Sequence, residues 1–302
     1  MTETRALLVD AFTDEPCAGN AAGVVPDAGG LADDQMQAVA AELGASETAF
    51  LRGSDEADRR VRYFTPTTEV DLCGHATVAS HAHLFADGAI DAGEHTLETN
   101  VGVLDVDVDA DGTVWMTQNE PEFREVDVSY ERVADATGTE AAALRGASDD
   151  IPLAVADTGL PFLVVPITYL SDLGDADPNF DAVADLADDV GAAGVYMFTF
   201  DALAGGSTLH GRAWVPGVGV DEDPVTGTAS GAAGAYLEHF DAFDDDTPEE
   251  MVFEQGHFVD RPGRVRVRAA DGGAPAVGGT AVETLDGDLA LPEADEDDIL
   301  EA

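Results

Sequence analysis

The chain has 302 residues, of which 45% are hydrophobic, so it can form sizeable cores and general disorder is excluded. It carries 62 acidic residues against 13 basic ones, all arginine, for a formal net charge of −49. A basic nucleic-acid-binding face, a lysine Schiff base with pyridoxal phosphate and a phosphate-loop lysine are therefore excluded. The acidic residues are spread along the whole chain, which is typical of the surface of a halophilic protein. Repulsion between the carboxylates is tolerable in concentrated salt, because the Debye length falls to roughly 3 Å at 1 M.

Cysteine content and hydropathy indicate the compartment. Cys17 and Cys73 are the two cysteines, too few for a disulfide framework or for a zinc site by themselves. The first residues lack a charged region followed by a long apolar stretch, and no apolar run approaches the roughly 18 residues of a membrane span. We therefore expect a cytoplasmic protein that binds neither membrane nor nucleic acid.

The predicted elements follow the same order in the two halves of the chain. The first half contains strand-like runs and two helix candidates, at 5–9, 21–25, 31–43 (helix), 47–51, 60–64, 75–86 (helix), 96–108 and 113–117. The second half contains a comparable set, at 153–157, 162–166, 180–189 (helix), 194–200, 208–215, 227–240 (helix), 264–269 and 277–283. This order predicts an α+β protein.

Three sequence matches indicate an internal repeat. They come in the same order at nearly constant offsets: Gly44–Phe50 with Gly191–Met197 (191 − 44 = 147), Arg62–Pro66 with Arg212–Pro216 (212 − 62 = 150), and the Gly-x-Ala-[Ser/Thr] steps at Gly74 and Gly227 (227 − 74 = 153). We therefore expect two pseudo-symmetric domains, residues 1–120 and 121–302, with the last strand free to cross back to the first. The cleft between them is the expected place of proton-transfer chemistry.

Each half has a helix rich in small residues directly after its Gly-x-Ala step. Residues 227–240 read GTASGAAGAYLEHF, and 75–86 read HATVASHAHLFA. A glycine inside a helix costs about 1 kcal/mol relative to alanine, so such a helix is useful where neighbours pack very close. We expect each to be a central helix wrapped by the strands of its own half.

Both central helices begin at polar turns, Asp71–His75 and Asp223–Thr228. A helix N-terminus offers backbone N–H groups and the positive end of the helix dipole. Two such starts facing one cleft would bind an anionic substrate such as a carboxylate. The alternative is ordinary capping by Thr226 or Thr228.

Glu47 is the leading candidate for the chemistry. It lies in Ser46–Leu51, a run otherwise suited to a buried strand, and its counterpart in the second half is Gly194. A carboxylate present in one copy alone predicts a task that only this copy performs, such as general acid–base catalysis. The alternative is an exposed acid at a strand edge.

His75 and Asp223 lie next to the helix starts. His75 could donate a hydrogen bond to a substrate or relay a proton, or it could be a structural histidine. Asp223 precedes a proline at a turn, where aspartate is common. A two-base thiol racemase would need a cysteine in both halves. The second half has Thr226 at the position equivalent to Cys73, which argues against that mechanism.

Several motifs together identify a family. In chain order they are Asp10–Thr13 leading to Gly19–Asn20, Ser46–Phe50, Phe64–Pro66, Cys73–Thr77, Glu222–Ala229, Gln255–Gly256 and Arg261–Pro262. With these motifs the chain resembles the phenazine-biosynthesis isomerase-like (PhzF-type) family, which shares its fold with diaminopimelate epimerase.

The resemblance implies a fold, a site and an activity. The fold is two pseudo-symmetric α+β domains, each a curved, mostly antiparallel sheet or barrel around a central helix, usually in a homodimer. The family's acid/base glutamate falls on Glu47, its substrate-contacting histidine and aspartate on His75 and Asp223, and its helix-start residues on the set Gly74, Gly227 and Thr228. Position 228 is typically serine in the family. No cofactor and no metal is implied, and Cys73 is expected to be a small packing residue.

The leading hypothesis is a cofactor-independent isomerase that moves a proton within a small carboxylate-bearing substrate. The family prototype isomerises a dihydro-hydroxyanthranilate, but the sequence does not identify the substrate of this chain. A two-base racemase or epimerase, and a non-catalytic metabolite-binding relative, are the alternatives.

Overall fold

The computed structural model describes residues 2–147, 151–244, 246–268 and 273–293. Over these residues the chain forms seven α-helices and 18 strands, in two compact units. One unit comprises Met1–Cys17, Ala21–Val114 and Thr280–Ala302, and the other comprises Ala18–Asn20 and Trp115–Gly279. None of the described helices is long and apolar enough to cross a membrane.

The first unit contains two helices and eight strands. In chain order they are β1 (Glu3–Ala11), β2 (Asn20–Val25), α1 (Asp33–Leu43), β3 (Glu47–Arg52), β4 (Arg59–Phe64), β5 (Glu69–Val70), α2 (Gly74–Ala86), β6 (Gly93–Thr99), β7 (Gly102–Val108) and the late strand β18 (Ala281–Ala290). The strand pairings run β18–β1–β2–β3–β4–β6–β7, with β5 also beside β4. The pairs β2–β3 and β4–β6 are parallel, and β1–β18, β3–β4, β4–β5 and β6–β7 are antiparallel.

The second unit repeats this plan with additional helices. Its elements are β8 (Val114–Thr117), β9 (Glu122–Glu125), α3 (Tyr130–Thr137), α4 (Ala141–Ala147), β10 (Ala154–Asp157), β11 (Pro161–Pro166), α5 (Leu170–Gly174), α6 (Phe180–Val190), β12 (Gly194–Thr199), β13 (Leu209–Val215), β14 (Val220–Asp223), α7 (Gly227–His239), β15 (Met251–Gln255), β16 (Gly263–Arg268) and β17 (Ala276–Gly279). Here β11–β12 and β13–β15 are the parallel pairs, at the places of β2–β3 and β4–β6. Strands β16, β17 and β8 extend the sheet beyond β15.

The strand registers confirm the internal repeat residue by residue. Thr48 pairs with Phe64 in the first unit and Val195 with Trp214 in the second, so the partners differ by 195 − 48 = 147 and 214 − 64 = 150 positions. These are the offsets that the sequence predicts. Gly44 and Gly191, also 147 apart, both end their helices in the left-handed conformation, with φ of 66° and 64°.

The two small-residue helices are the central helices of their own units. Helix α2 contacts β1, β3, β7 and β18, and α7 contacts β10, β11, β16 and β17. A Cβ atom added to Gly231 would lie 2.6 Å from Gln118 Cδ, and one added to Gly234 would lie 2.6 Å from Val267 Cγ1. The glycines of α7 therefore allow a close approach that alanine would prevent, which confirms the interpretation of its composition.

Each unit also has an outer layer of helix on sheet. In the first, a buried cluster that includes Met36 and Val39 of α1 and Phe50 of β3 joins the helix to the strands. In the second, the corresponding cluster includes Val183 and Leu186 of α6. Burial of each large apolar side chain contributes roughly 1.5–3 kcal/mol, so these layers stabilise the packing of the helices on the strands.

The α+β class and the mostly antiparallel sheets around central helices are confirmed, whereas two predicted strands are wrong as single elements. Residues 96–108 form the hairpin β6–β7, because Gly102 has a φ of 122° that a continuing strand would not adopt. Residues 277–283 divide at Thr280 into β17 and β18. Strand β15 was not predicted, although it holds Gln255 in the second unit.

Candidate active site

Glu47 is the first residue of β3 and lies opposite Ala22 on the parallel neighbour β2. The next three residues of the strand, Thr48 to Phe50, are fully buried. The Glu47 side chain is 24% exposed, so its carboxylate is held by a rigid strand but remains accessible. A carboxylate in this position can exchange protons with a bound molecule.

His75, the second residue of α2, contacts this carboxylate. Its Nε2 atom lies 3.4 Å from Glu47 Oε2 and 3.2 Å from Ser46 Oγ, and the side chain is 12% exposed. A histidine that carries a proton on Nε2 can donate it to either oxygen. The β3 start and the α2 start thus bring together the two first-unit residues singled out from the sequence.

Cys73 completes this group. It is buried, as a packing residue would be, but its sulfur lies 3.4 Å from His75 Nδ1. Ligand atoms of Glu47, Cys73 and His75 all lie within 4.8 Å of one another. The expectation of a packing residue therefore captures only part of its environment, because the thiol also contacts the histidine.

The start of α2 is accessible and has no side-chain cap. The N-cap residue Cys73 makes no cap hydrogen bond, and a Cβ atom added to Gly74 would meet nothing within 4 Å. Backbone N–H groups at an uncapped helix start can bind an anionic oxygen. Gly74 is thus suited to the close approach of a ligand to the backbone.

In the second unit, Asp223 is held by two hydrogen bonds. Asn20 Nδ2 donates to Oδ1 at 2.8 Å, and the Thr226 hydroxyl donates to Oδ2 at 2.5 Å. Thr226 makes no side-chain cap bond, although it is the N-cap residue of α7. The capping alternative is therefore wrong for Thr226, whose hydroxyl orients Asp223 instead.

Gln255 braces the same turn from β15. Its Nε2 donates to the Asp223 carbonyl at 2.7 Å and to Thr226 Oγ1 at 3.1 Å, while its Oε1 accepts from the Thr226 backbone N–H at 3.1 Å. Asn20 and Gln255 were not predicted as site residues, although both lie in the sequence motifs that carry the family resemblance. Polar residues at fixed places in those motifs were the signal that could have found them.

Gly227 and Thr228 are the first two residues of α7, the counterparts of Gly74 and His75 at an offset of 153 (227 − 74 and 228 − 75). Gly227 is buried, and its carbonyl accepts a hydrogen bond from Gln118 Nε2 at 3.3 Å. Thr228 is partly buried. The helix start therefore recurs with a hydroxyl in place of the imidazole.

Gly194, the counterpart of Glu47, has no room for a side chain. A Cβ atom added there would lie 2.5 Å from Val215 Cγ1 and closer still to the carbonyl oxygen of Trp214. The second unit cannot place a carboxylate at the start of β12 without moving the backbone of β13. The asymmetry between the two units is therefore part of their packing.

Comparison with known proteins identifies the family of the chain. The family model described as "Phenazine biosynthesis-like protein" matches residues 9–287. The chain belongs to this family. A Bacillus subtilis relative, "Uncharacterized isomerase YfhB", is 36% identical over 278 residues, which cover 90% of this chain and 93% of the relative.

Solved structures of similar fold include another member of this family and a more distant protein. The crystal structure of the Bacillus anthracis phenazine biosynthesis protein of the PhzF family superposes with a TM-score of 0.87 at 32% identity, covering 96% of this chain and 100% of that one. A hydroxyproline epimerase from Agrobacterium vitis shares the fold alone, with a TM-score of 0.56 and 14% identity over 96% and 91% of the two chains. Because the chain belongs to this family and its curated relatives are named isomerases, the protein is an enzyme of the isomerase type.

Proposed function

We propose that the protein is a cofactor-independent isomerase in which Glu47 moves a proton within a small carboxylate-bearing substrate. The observation that carries the proposal is the pairing of Glu47 Oε2 with His75 Nε2 at 3.4 Å beside an uncapped helix start. It joins a proton acceptor, a hydrogen-bond donor and an anion-binding feature within one unit.

The proposed chemistry is a proton transfer in two steps. Glu47 removes a proton from a carbon next to an electron-withdrawing group, and the electron pair shifts into the substrate as its double bond moves. The protonated carboxyl then returns the proton to another carbon, so that substrate and product have the same composition. His75 stabilises the carboxylate or a developing negative charge on the substrate through Nε2–H.

Substrate binding is assigned to the helix starts. In this proposal the N–H groups around Gly74 bind an anionic oxygen, and Gly227, Thr228 and Asp223 contribute further contacts to the substrate. The formal charge of −49 opposes the approach of an anion, but screening by concentrated salt confines that repulsion to short range. Local N–H donors therefore decide binding.

Proton exchange with solvent tests the proposal across a set of candidate substrates. Small carboxylates, including a dihydro-hydroxyanthranilate, are incubated with the protein in D₂O and potassium chloride, and deuterium incorporation and isomer formation are followed by NMR. We expect turnover by the wild-type chain and a loss of at least about 10²-fold in Glu47→Gln, since general acid–base catalysis contributes about 10²–10⁴-fold. Full activity of Glu47→Gln with an intact fold would falsify the proposed role.

A two-base epimerase is the second candidate, and the contact of Cys73 Sγ with His75 Nδ1 at 3.4 Å is the observation in its favour. Such an enzyme needs a second thiol, whereas Thr226 stands at the equivalent position and its hydroxyl is engaged by Asp223. The single-carboxylate mechanism is therefore preferred.

A further inference from the structure

Three metal-ligating side chains of different chemistry converge in the first unit. Glu47, Cys73 and His75 offer a carboxylate, a thiol and an imidazole whose ligand atoms lie within 4.8 Å of one another. Within the part of the chain that the structure describes, it is the one group of three such residues. Zinc sites are built from these donor types.

The distances are close to those of a tetrahedral zinc site. His75 Nε2 lies 4.0 Å from Cys73 Sγ and 3.4 Å from Glu47 Oε2. Two ligands bound at about 2.0–2.3 Å to one tetrahedral ion lie roughly 3.3–3.6 Å apart. Side-chain rotations that move the ligand atoms by a few tenths of an ångström to about one ångström would therefore allow all three atoms to coordinate one ion.

We propose that Glu47, Cys73 and His75 form a reversible binding site for a thiophilic divalent cation of the Zn²⁺ class, with water as the fourth ligand. The Glu47 side chain is partly exposed, so an ion can reach the site from solvent. The buried Cys73 sulfur makes the site selective for thiophilic cations over Mg²⁺ and Ca²⁺, which prefer oxygen ligands alone. On binding, the Cys73 thiol releases its proton to solvent, so the affinity rises with pH.

Nonspecific binding of cations to the acidic surface can be distinguished from binding at the proposed site. The 62 carboxylates attract cations of every kind, but the chain has only two sulfur atoms in thiols, those of Cys17 and Cys73. Cys17 is exposed and has no partner in the three-residue group, so it provides a matched control. A thiolate–metal bond therefore reports the proposed site specifically.

One consequence rests on the proposed function. If Glu47 is the acid/base, a cation bound to its carboxylate prevents it from accepting a proton. Zn²⁺ then acts as a reversible inhibitor that competes with substrate, and a chelator restores activity. Binding of the cation itself does not depend on the proposed reaction.

Cobalt titration tests the site directly. The full-length protein, with a non-thiol reductant and in potassium chloride, is titrated with Co²⁺ while the thiolate-to-cobalt charge-transfer absorption is recorded, and Zn²⁺ is then added to displace it. We expect one equivalent to saturate the wild-type band, Cys17→Ser to retain it and Cys73→Ser to lose it. Absence of the band in the wild type, or its loss in Cys17→Ser, overturns the proposal.

The other two ligands provide a second measurement, which stands even if Cys73→Ser does not fold. Glu47→Gln and His75→Asn are each expected to weaken Zn²⁺ binding more than 100-fold in competition with a chromophoric chelator, because loss of groups that merely hydrogen-bond to ligands costs about 10–100-fold. Unchanged affinity in both variants overturns the site. Zinc binding by a protein whose Glu47→Gln variant is fully active would instead reject the proposed function and leave the metal site intact.

Discussion

Glu47 and Gly194 occupy the same position in the two units, yet only one of them can carry a side chain. Each is the first residue of a strand that pairs in parallel with the preceding one, Glu47 opposite Ala22 and Gly194 opposite Phe162. The space that a side chain at position 194 would need is filled by Val215 and the Trp214 backbone. The carboxylate is thus confined to one unit by packing.

The first prediction concerns this packing. Gly194→Ala should lower the free energy of unfolding by about 1–3 kcal/mol, because overpacking forces the backbone of β13 to shift. The matched control is Gly205→Ala, where an added Cβ atom meets nothing within 4 Å and the change should stay within about 0.5 kcal/mol. Guanidinium unfolding in potassium chloride measures both, and equal stability of the two variants would contradict the argument.

An ion pair is also repeated between the units. Arg62 binds Glu69 across β4 and β5, and Arg212 binds Glu222 across β13 and β14, in both cases through two parallel hydrogen bonds. The Arg212 side chain is only 7% exposed and donates further to the carbonyls of Leu173 and Ala176 at 3.0 Å. Because Glu222 directly precedes Asp223, this pair anchors the strand that presents Asp223.

The second prediction follows from the burial of the Arg212–Glu222 ion pair. Arg212→Met should destabilise the fold by about 3–5 kcal/mol, since it leaves the Glu222 carboxylate buried without its partner. Arg132→Met is the control, because the Arg132 pair with Asp189 is exposed and should contribute no more than about 1 kcal/mol. Chemical unfolding compares the two, and a loss at position 212 no larger than that at 132 would count against a structural role of the buried pair.

Local sequence patterns were sufficient to predict the internal repeat, the two central helices and the position of Glu47 on a strand. The offsets of 147 and 150 reappear in the strand registers because both copies keep the same pairing of β3 with β4 and of β12 with β13. What the patterns could not give are contacts between residues far apart in the chain. Asn20 and Asp223, 203 positions apart, are brought together only by the folded second unit.

The same limit explains the helix starts. The sequence allows Thr226 to be an N-cap, and propensity favours that interpretation. The hydroxyl instead donates to Asp223, because Gln255 from a strand that was not predicted bonds to the Thr226 backbone N–H and hydroxyl. The hydroxyl oxygen accepts a tertiary hydrogen bond from Gln255 Nε2 in place of a bond from a backbone N–H of the helix start.

The third prediction concerns Thr226. Thr226→Val removes the hydroxyl that orients Asp223, so turnover should fall at least tenfold, whereas Thr226→Ser should retain most of it. Steady-state kinetics on a substrate found by the proton-exchange screen would measure the effect. If the valine variant is as active as the serine variant, the hydroxyl has no part in positioning Asp223.

The fourth prediction separates the carboxylate mechanism from the two-thiol one. Cys73→Ala should change kcat by no more than about threefold if Glu47 is the acid/base, whereas loss of an essential thiol would cost several orders of magnitude. The wild type and the alanine variant are compared in the same D₂O exchange assay. Inactivation of a folded Cys73→Ala protein would favour the epimerase candidate.

His81 makes the central helix α2 sensitive to acid. Its side chain is buried, with 2% of the residue exposed, and Nδ1 lies 3.0 Å from the Thr77 carbonyl, to which it donates a hydrogen bond. Burial lowers the pKa of His81 to about 4, and the hydrogen bond to Thr77 opposes this shift only in part. Burial likewise lowers the pKa of His210 in the second unit to about 4.

The fifth prediction is a loss of stability as the pH falls from about 6.5 towards 4. In this window the unfolded chain protonates His81 while the folded chain does not, so each lowered pKa costs up to about 3 kcal/mol by pH 4. His81→Gln, whose amide can still donate to the Thr77 carbonyl, should therefore show a shallower decline of unfolding free energy between pH 6.5 and 5.5, a window that lies above the ordinary carboxylate pKa values of about 3.9 and 4.3. Val78→Ala, a change of a buried apolar residue on the same helix that does not titrate, should lower stability equally at every pH. Chemical unfolding at fixed potassium chloride over this range measures the slopes, and identical slopes for the wild type and His81→Gln would mean that His81 is not the group responsible.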